Sequence, residues 1–219
     1  MTKLAIFDCD GTLVDSQADI VWAMVCAFEH AEQVPPDPSK VRRIVGLSLP
    51  MAIRHLAPDL READRNAIVN FYKSAFRNRR EEGDLNERLY DGIAELLHTL
   101  HSSNWQLAVA TGKSDRGLNA VLDHHSLTHL FTSLQTADHH PSKPHPAMLE
   151  AALIETGFEA DQAVMIGDTS FDIEMAGAAN MRAIGVAWGY HTPEELTASG
   201  AETVARDAAH LQQILTSTE

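Results

Sequence analysis

Cysteines, basic residues and long apolar runs are all scarce in this 219-residue sequence. Two cysteines, Cys9 and Cys26, cannot make a disulfide framework, and the apolar run at residues 4–7 is too short for a signal peptide or a membrane span. These absences predict a cytoplasmic protein. The 17 Lys and Arg residues face 31 Asp and Glu residues, a formal net charge of −14, so we expect neither nucleic acid nor a membrane as a partner.

The composition is otherwise that of an ordinary globular protein, with 44% hydrophobic and 22% charged residues. Short apolar runs alternate with helical patterns along most of the chain. The clearest predicted strands are residues 4–7, 105–110, 162–166 and 182–186. Alternation of this kind favours an α/β fold in which helices cover a parallel sheet.

One long segment departs from this alternation. After the first predicted strand the apolar spacing is helical, as at Ile20 and Met24, and almost nothing predicts a strand until about residue 83. The pattern indicates a helical insertion. We therefore predict a core made of residues 1–14 and 84–219 and a helical cap made of residues 15–83.

Two carboxylates directly follow the first predicted strand. Asp8 and Asp10 alternate with Cys9, so both carboxylates can point to one side, and Gly11 allows a sharp turn. Ligands bind α/β sheets at the carboxyl ends of their strands. Neighbouring carboxylates repel each other unless a cation lies between them or one is protonated. An acidic turn without a function is the alternative.

Groups suited to phosphate occur at two later positions. Thr111 and Gly112 follow a predicted strand and precede a helix, where a hydroxyl and backbone N–H groups can bind an oxyanion. Lys143 lies in a loop stiffened by three prolines, and its ammonium group is a compact charge suited to phosphate. The alternatives are a helix cap at Thr111 and a solvated Lys143.

A second pair of carboxylates follows another predicted strand. Asp168 comes directly after the strand and Asp172 lies one helical turn later. Carboxylate oxygens are hard ligands that suit Mg²⁺. Capping of the following helix is the alternative explanation.

Together the four segments resemble the motifs of the haloacid dehalogenase superfamily of phosphatases. The matching segments are Phe-Asp-Cys-Asp-Gly-Thr at 7–12, Ala-Thr-Gly-Lys-Ser at 110–114, Ser-Lys-Pro-His-Pro at 142–146 and Gly-Asp-Thr-Ser-Phe-Asp at 167–172. The resemblance implies a Rossmann-like parallel sheet with helices on both faces and an inserted all-helical cap. It also implies a Mg²⁺-dependent phosphatase that acts on a small phosphorylated metabolite.

The resemblance assigns catalytic roles to named side chains. It implies that Asp8 is the nucleophile, which forms an aspartyl phosphate, and that Asp10 is the general acid and base. It places Thr111, Gly112 and Lys143 against the phosphoryl group.

The same resemblance assigns the metal site. It implies that the Asp8 carboxylate, the backbone carbonyl of Asp10 and the Asp168 carboxylate hold Mg²⁺. Asp172 is expected to support either the metal or Lys143.

The substrate is less well specified by the sequence. Phosphoglycolate is favoured by resemblance alone, although Gly112 stands where many phosphoglycolate phosphatases have Asn. Sugar phosphates, nucleotides and pyrophosphate stay open. Within the cap, the turn at residues 45–48 and Arg42 or Arg43 before it are candidates for the distal end of the substrate, with a solvated Arg on a cap helix as the alternative. Residues 77–82 are expected to be a solvated helix end.

Three other functions are weighed against phosphatase activity. A phosphomutase of the β-phosphoglucomutase type would use the same core, and a non-catalytic binding module would use the same fold. A zinc site could be built from the histidines between residues 124 and 145, but no paired Cys or helix-spaced His-Glu-x-x-His accompanies them.

Overall fold

The computed structural model describes residues 4–217, and its centre is a six-stranded parallel sheet. The strands are β1 (Leu4–Phe7), β2 (Val14–Asp15), β3 (Arg88–Leu89), β4 (Gln106–Thr111), β5 (Phe131–Thr136), β6 (Ala163–Gly167), β7 (Arg182–Val186) and β8 (Thr203–Ala205). The sheet order is β5-β4-β1-β6-β7-β8. Since β1 pairs in parallel with both β4 and β6, the carboxyl ends of these three strands meet at one edge.

Helices cover both faces of this sheet. In chain order the described helices are α1 (Gln17–His30), α2 (Pro38–Arg43), α3 (Leu49–Leu56), α4 (Glu62–Glu81), α5 (Ile93–Ser102), α6 (Asp115–His124), α7 (Ala147–Thr156), α8 (Ser170–Ala178), α9 (Pro193–Ala198) and α10 (Ala208–Thr216), of which α5–α10 cover the sheet. Short 3₁₀ helices occupy Thr128–Leu130 and Ala160–Gln162. Side chains of α5, α6 and α10 pack on one face of the sheet, and those of α7, α8 and α9 pack on the other.

The central strand β1 shows why its sequence is continuously apolar. Leu4 and Ile6 belong to the hydrophobic cluster on one face, whereas Ala5 and Phe7 belong to the cluster on the other face. All four are fully buried. A strand in the middle of a parallel sheet has no solvated face, so alternation of polar and apolar residues is absent.

Helices α1 to α4 pack around a hydrophobic cluster of their own. Ile20, Met24 and Phe28 from α1 meet Ile53 from α3 and Ile68 from α4. The antiparallel pair β2–β3 lies where the chain enters and leaves this helical block, with Val14 opposite Leu89. We propose that the block acts as the predicted cap over residues 15–83.

The α/β fold predicted from the sequence is confirmed. The strands that the sequence does not predict at their full length are short or lie at an edge of the sheet. Strands β2, β3 and β8 have only two or three residues, too few to show a period of two. Strand β5 is six residues long and four of its six side chains are polar, so its apolar pattern does not predict a strand of this length. No helix within residues 4–217 is long and apolar enough to cross a bilayer.

Candidate active site

Asp8 lies at the carboxyl end of β1 and is 1% exposed. Its backbone N–H donates to the carbonyl of Ile166 at 2.9 Å, which continues the parallel ladder by one residue. Its Oδ1 accepts a hydrogen bond from the Cys9 N–H at 2.6 Å and lies 2.9 Å from Lys143 Nζ. Its Oδ2 is buried and has no hydrogen-bond partner among the described residues. The carboxylate is therefore fixed through one oxygen, and the other is free for a ligand.

Lys143 is the only lysine among the buried polar residues of the described chain, at 2% exposed. Its Nζ lies 2.6 Å from Asp172 Oδ1 as well as 2.9 Å from Asp8 Oδ1. Burial lowers the pKa of Lys143, but Asp172 and Asp8 outweigh it and hold the pKa above its ordinary value. The lysine is therefore a fixed positive charge and not the solvated side chain of the alternative interpretation.

Asp172 is held from a second side by the start of α8. Its Oδ2 accepts hydrogen bonds from the Thr169 N–H at 3.1 Å and the Thr169 hydroxyl at 2.7 Å. This arrangement is a capping box, so the capping interpretation holds in part. The other oxygen of Asp172 is used by Lys143. Of its two expected supporting roles, the geometry therefore displays contact with Lys143.

Asp168 follows β6 directly and is fully buried. Its Oδ1 accepts a hydrogen bond from the Thr12 hydroxyl at 2.8 Å, and its Oδ2 accepts one from the Tyr190 N–H at 2.9 Å. Gly11 turns beneath it with φ +85°, and a Cβ there would lie 2.2 Å from Asp168 Oδ2. Gly11 thus combines a backbone conformation and a closeness of approach that other residues do not allow.

The buried carboxylates of Asp8, Asp168 and Asp172 form a candidate metal site. One oxygen of each lies within 4.8 Å of the others. If all three are ionised, Lys143 balances one negative charge and two remain, which a divalent cation would neutralise. Burial is the main cause that raises the pKa of Asp8 to about 7 and that of Asp168 well above its ordinary value. The unpartnered Asp8 Oδ2 also fits a cation ligand.

Asp10 is held by contacts that sequence reasoning missed. Its Oδ1 accepts a hydrogen bond from the Ser16 hydroxyl and lies 2.9 Å from Lys113 Nζ. Lys113 Nζ is also 2.8 Å from Glu87 Oε1, and Glu87 lies 2.7 Å from Arg80. Burial lowers the pKa of Lys113, but Asp10 and Glu87 raise it well above the ordinary value. The side chain of Asp10 lies outside the three-carboxylate group.

Thr111 and Gly112 border the same cavity as Asp8 and Asp10. Thr111 is 1% exposed and its Oγ1 accepts a weak hydrogen bond from the Lys113 N–H at 3.3 Å, so its own proton is available to a ligand. The N-cap residue of α6 is Ser114, whose hydroxyl accepts a hydrogen bond from the Gly117 N–H. A Cβ on Gly112 would lie 2.6 Å from the carbonyl oxygens of Gly46 and Leu47. The backbone of the helical block therefore lies in close contact with the core at Gly112.

The structure thus brings the predicted side chains together in two connected groups. Lys143 links Asp8 to Asp172, and Asp168 lies beside them. Thr111 and Asp10 line the cavity above Asp8. The position of Lys113, two residues after Thr111 in a predicted helix start, was the one available signal for its role.

Of the cap residues named as candidates, the turn at residues 45–47 lines the cavity, whereas the arginines before it do not. Neither Arg42 nor Arg43 is among the residues that line the cavity, and Arg43 instead forms an ion pair with Glu195 at 2.7 Å. Residues 77–82 are not simply a solvated helix end, because Arg77 and Arg80 line the cavity. Which face of α4 meets the cavity depends on how the cap docks, which local sequence does not encode.

Comparison with known proteins agrees with this geometry. The model of the haloacid dehalogenase-like hydrolase family matches residues 5–186, and the chain belongs to this family. A relative from Dickeya dadantii (strain 3937) named "Probable phosphatase IndB" is 36% identical over 210 residues, which cover 93% of this chain and 89% of that protein. The phosphoglycolate phosphatase of Haemophilus influenzae (strain 86-028NP) is 31% identical over 226 residues, which cover 97% and 98%.

A solved structure supports the fold over its whole length. The crystal structure of a predicted phosphatase from Clostridium acetobutylicum superposes with a TM-score of 0.89 at 25% identity, covering 99% of each chain. With the family match and the relatives, this confirms the enzyme class predicted from the sequence: the protein is a phosphatase of the haloacid dehalogenase-like family.

The raised carboxyl pKa values predict a pH-dependent response to Mg²⁺. Because the pKa of Asp8 is raised to about 7 in the folded chain, its ionisation costs stability as the pH rises toward 7. Mg²⁺ binds the ionised form and removes that cost. At about 100 times its Kd it should stabilise by about 2.7 kcal/mol, which raises Tm by about 5–10 °C. We expect the larger rise at about pH 8 and a smaller one at about pH 5.5, where protons compete.

Differential scanning fluorimetry at both pH values measures this response. Asp168→Ala is the control, and it should abolish the rise in Tm. An equal Mg²⁺ response in Asp168→Ala, or a larger response at the lower pH, would remove these carboxylates from the metal site.

The contacts of Lys113 predict a separable effect on activity. Lys113→Met leaves the carboxylates of Asp10 and Glu87 without their shared ammonium group, so unfolding should become easier by about 3 kcal/mol. Activity should fall by about 100-fold because Asp10 loses its positioning contact. The double variant Lys113→Met/Glu87→Gln should regain most of the stability in urea unfolding but little of the activity. Activity that returns together with stability would make Lys113 purely structural.

Proposed function

We propose that this protein is a Mg²⁺-dependent phosphatase that hydrolyses a small phosphorylated metabolite through an aspartyl phosphate on Asp8. The observation that carries the proposal is the state of the Asp8 carboxylate. One oxygen is held by Lys143 and the Cys9 N–H, while the other is buried with no hydrogen-bond partner within residues 4–217. A carboxylate fixed in this way, beside a second carboxylate on Asp10, suits nucleophilic attack followed by hydrolysis.

The reaction would proceed in two displacements. An Asp8 oxygen attacks phosphorus, the bond from phosphorus to the leaving oxygen breaks, and Asp10 gives its proton to that oxygen. Asp10 then takes a proton from a water molecule whose oxygen attacks the phosphorus of the aspartyl phosphate. The bond between Asp8 and phosphorus breaks, which restores the carboxylate and releases inorganic phosphate.

The other residues of the site would stabilise the transferred group. Thr111 donates its hydroxyl proton to a phosphoryl oxygen, the backbone at Gly112 adds an N–H, and Lys143 supplies a positive charge. Asp8, the backbone carbonyl of Asp10 and Asp168 would hold Mg²⁺, which when bound neutralises charge on the phosphoryl oxygens. Asp172 keeps Lys143 in place at 2.6 Å.

Two contacts between the helical block and the core support a role of the block as a cap over the cavity. The Ser48 N–H donates to the Ser142 hydroxyl at 2.8 Å, and Arg43 pairs with Glu195. Such closure would exclude bulk water during the attack by Asp8, while the second displacement needs only the one water molecule that Asp10 activates. Both cysteines are free thiols, which supports the proposed cytoplasmic location.

Phosphoglycolate stands first among candidate substrates on the names of relatives alone. Sugar phosphates, nucleotides and pyrophosphate share the phosphoryl group. The floor of the site, which consists of Asp8, Asp10, Thr111 and Gly112 with Lys143 and Asp168 beside them, would hold that group. Release of inorganic phosphate from a panel of these compounds, with Mg²⁺ and with a chelator, tests the function. We expect chelator-sensitive release. Isomerised product without phosphate release would instead indicate a phosphomutase, and no reaction at all would indicate a binding module.

Asp8→Asn tests the nucleophile. The amide cannot form the aspartyl phosphate, so turnover should fall by more than about 10⁴-fold while the fold stays intact. Asp161→Asn, an exposed change near the amino end of β6, is the matched control and should leave turnover unchanged. Near-normal phosphate release by Asp8→Asn, measured beside circular dichroism of both variants, would exclude Asp8 as the nucleophile.

A further inference from the structure

The cavity above Asp8 and Asp10 continues into the cap, where its wall changes in chemistry. Nine apolar or aromatic residues of the cap line it, among them Ile20, Met24, Val45, Leu47, Tyr72 and Phe76. The charged cap residues on the lining are Lys73, Arg77 and Arg80. Among the described residues, no Ser, Thr, Asn, Gln or His of the cap lines this cavity. The floor is therefore rich in hydrogen-bonding groups, whereas the neutral side chains of the wall are mostly apolar. Of its charged side chains, Lys73 and Arg77 are exposed and Arg80 pairs with Glu87.

The cavity is also large for a two-carbon acid. Its volume is about 340 Å³, within the range of about 300–1,000 Å³ that is usual for sites of small organic ligands. It is roofed by the turn at Gly46 and Leu47, whose carbonyl oxygens approach Gly112. A ligand body that reaches beyond the phosphoryl group must therefore contact the apolar wall.

We propose that the substrate is a phosphomonoester whose body is apolar, either aliphatic or aromatic. This inference rests on the proposed phosphatase function and narrows it. Burying an apolar body against this wall removes apolar surface from water on both sides. A polyol body would lose its hydrogen bonds to water and find few neutral side-chain partners, because among the described cap residues that line the cavity Tyr72 alone has a hydroxyl. Phosphoglycolate would leave the wall uncovered.

Phe76 is where the wall meets the catalytic floor. Its ring lies 5.4 Å from that of Tyr72, and Lys113 Nζ, the partner of Asp10, is 5.7 Å from its centre. Both aromatic residues are half-buried and line the cavity. The first atoms of the body beyond the leaving oxygen should therefore pass beside Phe76.

A series of straight-chain alkyl phosphates tests the proposal, because chain length changes while the leaving group stays an alkoxide. We expect kcat/KM to rise by at least about tenfold from ethyl to hexyl phosphate. Hexyl and benzyl phosphate should also exceed phosphoglycolate and glucose 6-phosphate. A flat or falling series, or phosphoglycolate as the best substrate, would overturn the proposal and leave the phosphatase function standing.

Substitutions on α4 assign the preference to the wall. Phe76→Ala should reduce the ratio of kcat/KM for hexyl over ethyl phosphate by about fivefold, and Phe76→Leu, which keeps an apolar side chain, should retain most of it. Phe71→Ala is the matched control, because Phe71 is on the same helix, packs against His30 and does not line the cavity. It should leave the ratio unchanged. An equal loss of the ratio in Phe71→Ala would overturn the assignment.

Binding to Asp8→Asn separates the two proposals. Calorimetry should show hexyl phosphate bound at least about tenfold more tightly than ethyl phosphate, without turnover. If no alkyl phosphate is hydrolysed by the unmodified enzyme but this preference in binding is seen, the phosphatase function fails and the apolar site stands. If phosphate is released but binding shows no preference, the apolar site fails alone.

Discussion

The buried ammonium group of Lys143 is the contact on which the floor of the site depends. Three buried carboxylates lie within reach of one another, and such a group without a counter-charge would be unstable in the folded chain. Lys143 pairs with Asp8 and Asp172, which fixes both the end of β1 and the start of α8. It leaves one Asp8 oxygen and two formal negative charges unmatched. The reactivity of the site follows from this excess of negative over positive charge.

A second ammonium group does for Asp10 what Lys143 does for Asp8. Lys113 joins Asp10 to Glu87, which lies beside β3 at the base of the cap. Asp8 thus contacts the buried Lys143 and Asp10 contacts the partly buried Lys113. Lys113 is linked through Glu87 to Arg80 of the cap helix α4. We infer that the docking of the cap and the position of Asp10 are physically coupled, because one ion-pair network includes both.

Much of the floor could be predicted because it follows from topology. Asp8 and Asp168 directly follow strands and Thr111 ends one, and parallel strands bring their carboxyl ends to one edge of the sheet. Glu87 could not be predicted, since its contact with Lys113 depends on where the cap returns to the core. The sequence alone makes Arg43 a candidate substrate contact for the same reason: local sequence does not show how the cap packs on the core. Rotation and docking of helices decide which arginines meet the cavity, and these depend on tertiary packing.

The floor and the cap wall therefore contribute different terms to recognition. Contacts between the floor and a phosphoryl group are available to every phosphomonoester, so they set the reaction but cannot discriminate among substrates. Discrimination has to come from atoms beyond the leaving oxygen, which in the proposed binding mode would contact Met24, Leu47 and Phe76 on the cavity lining. Apolar contacts there act without disturbing the charge balance around Lys143. A cap can consequently change its substrate by changing side-chain size, while the ion pairs beneath it stay the same.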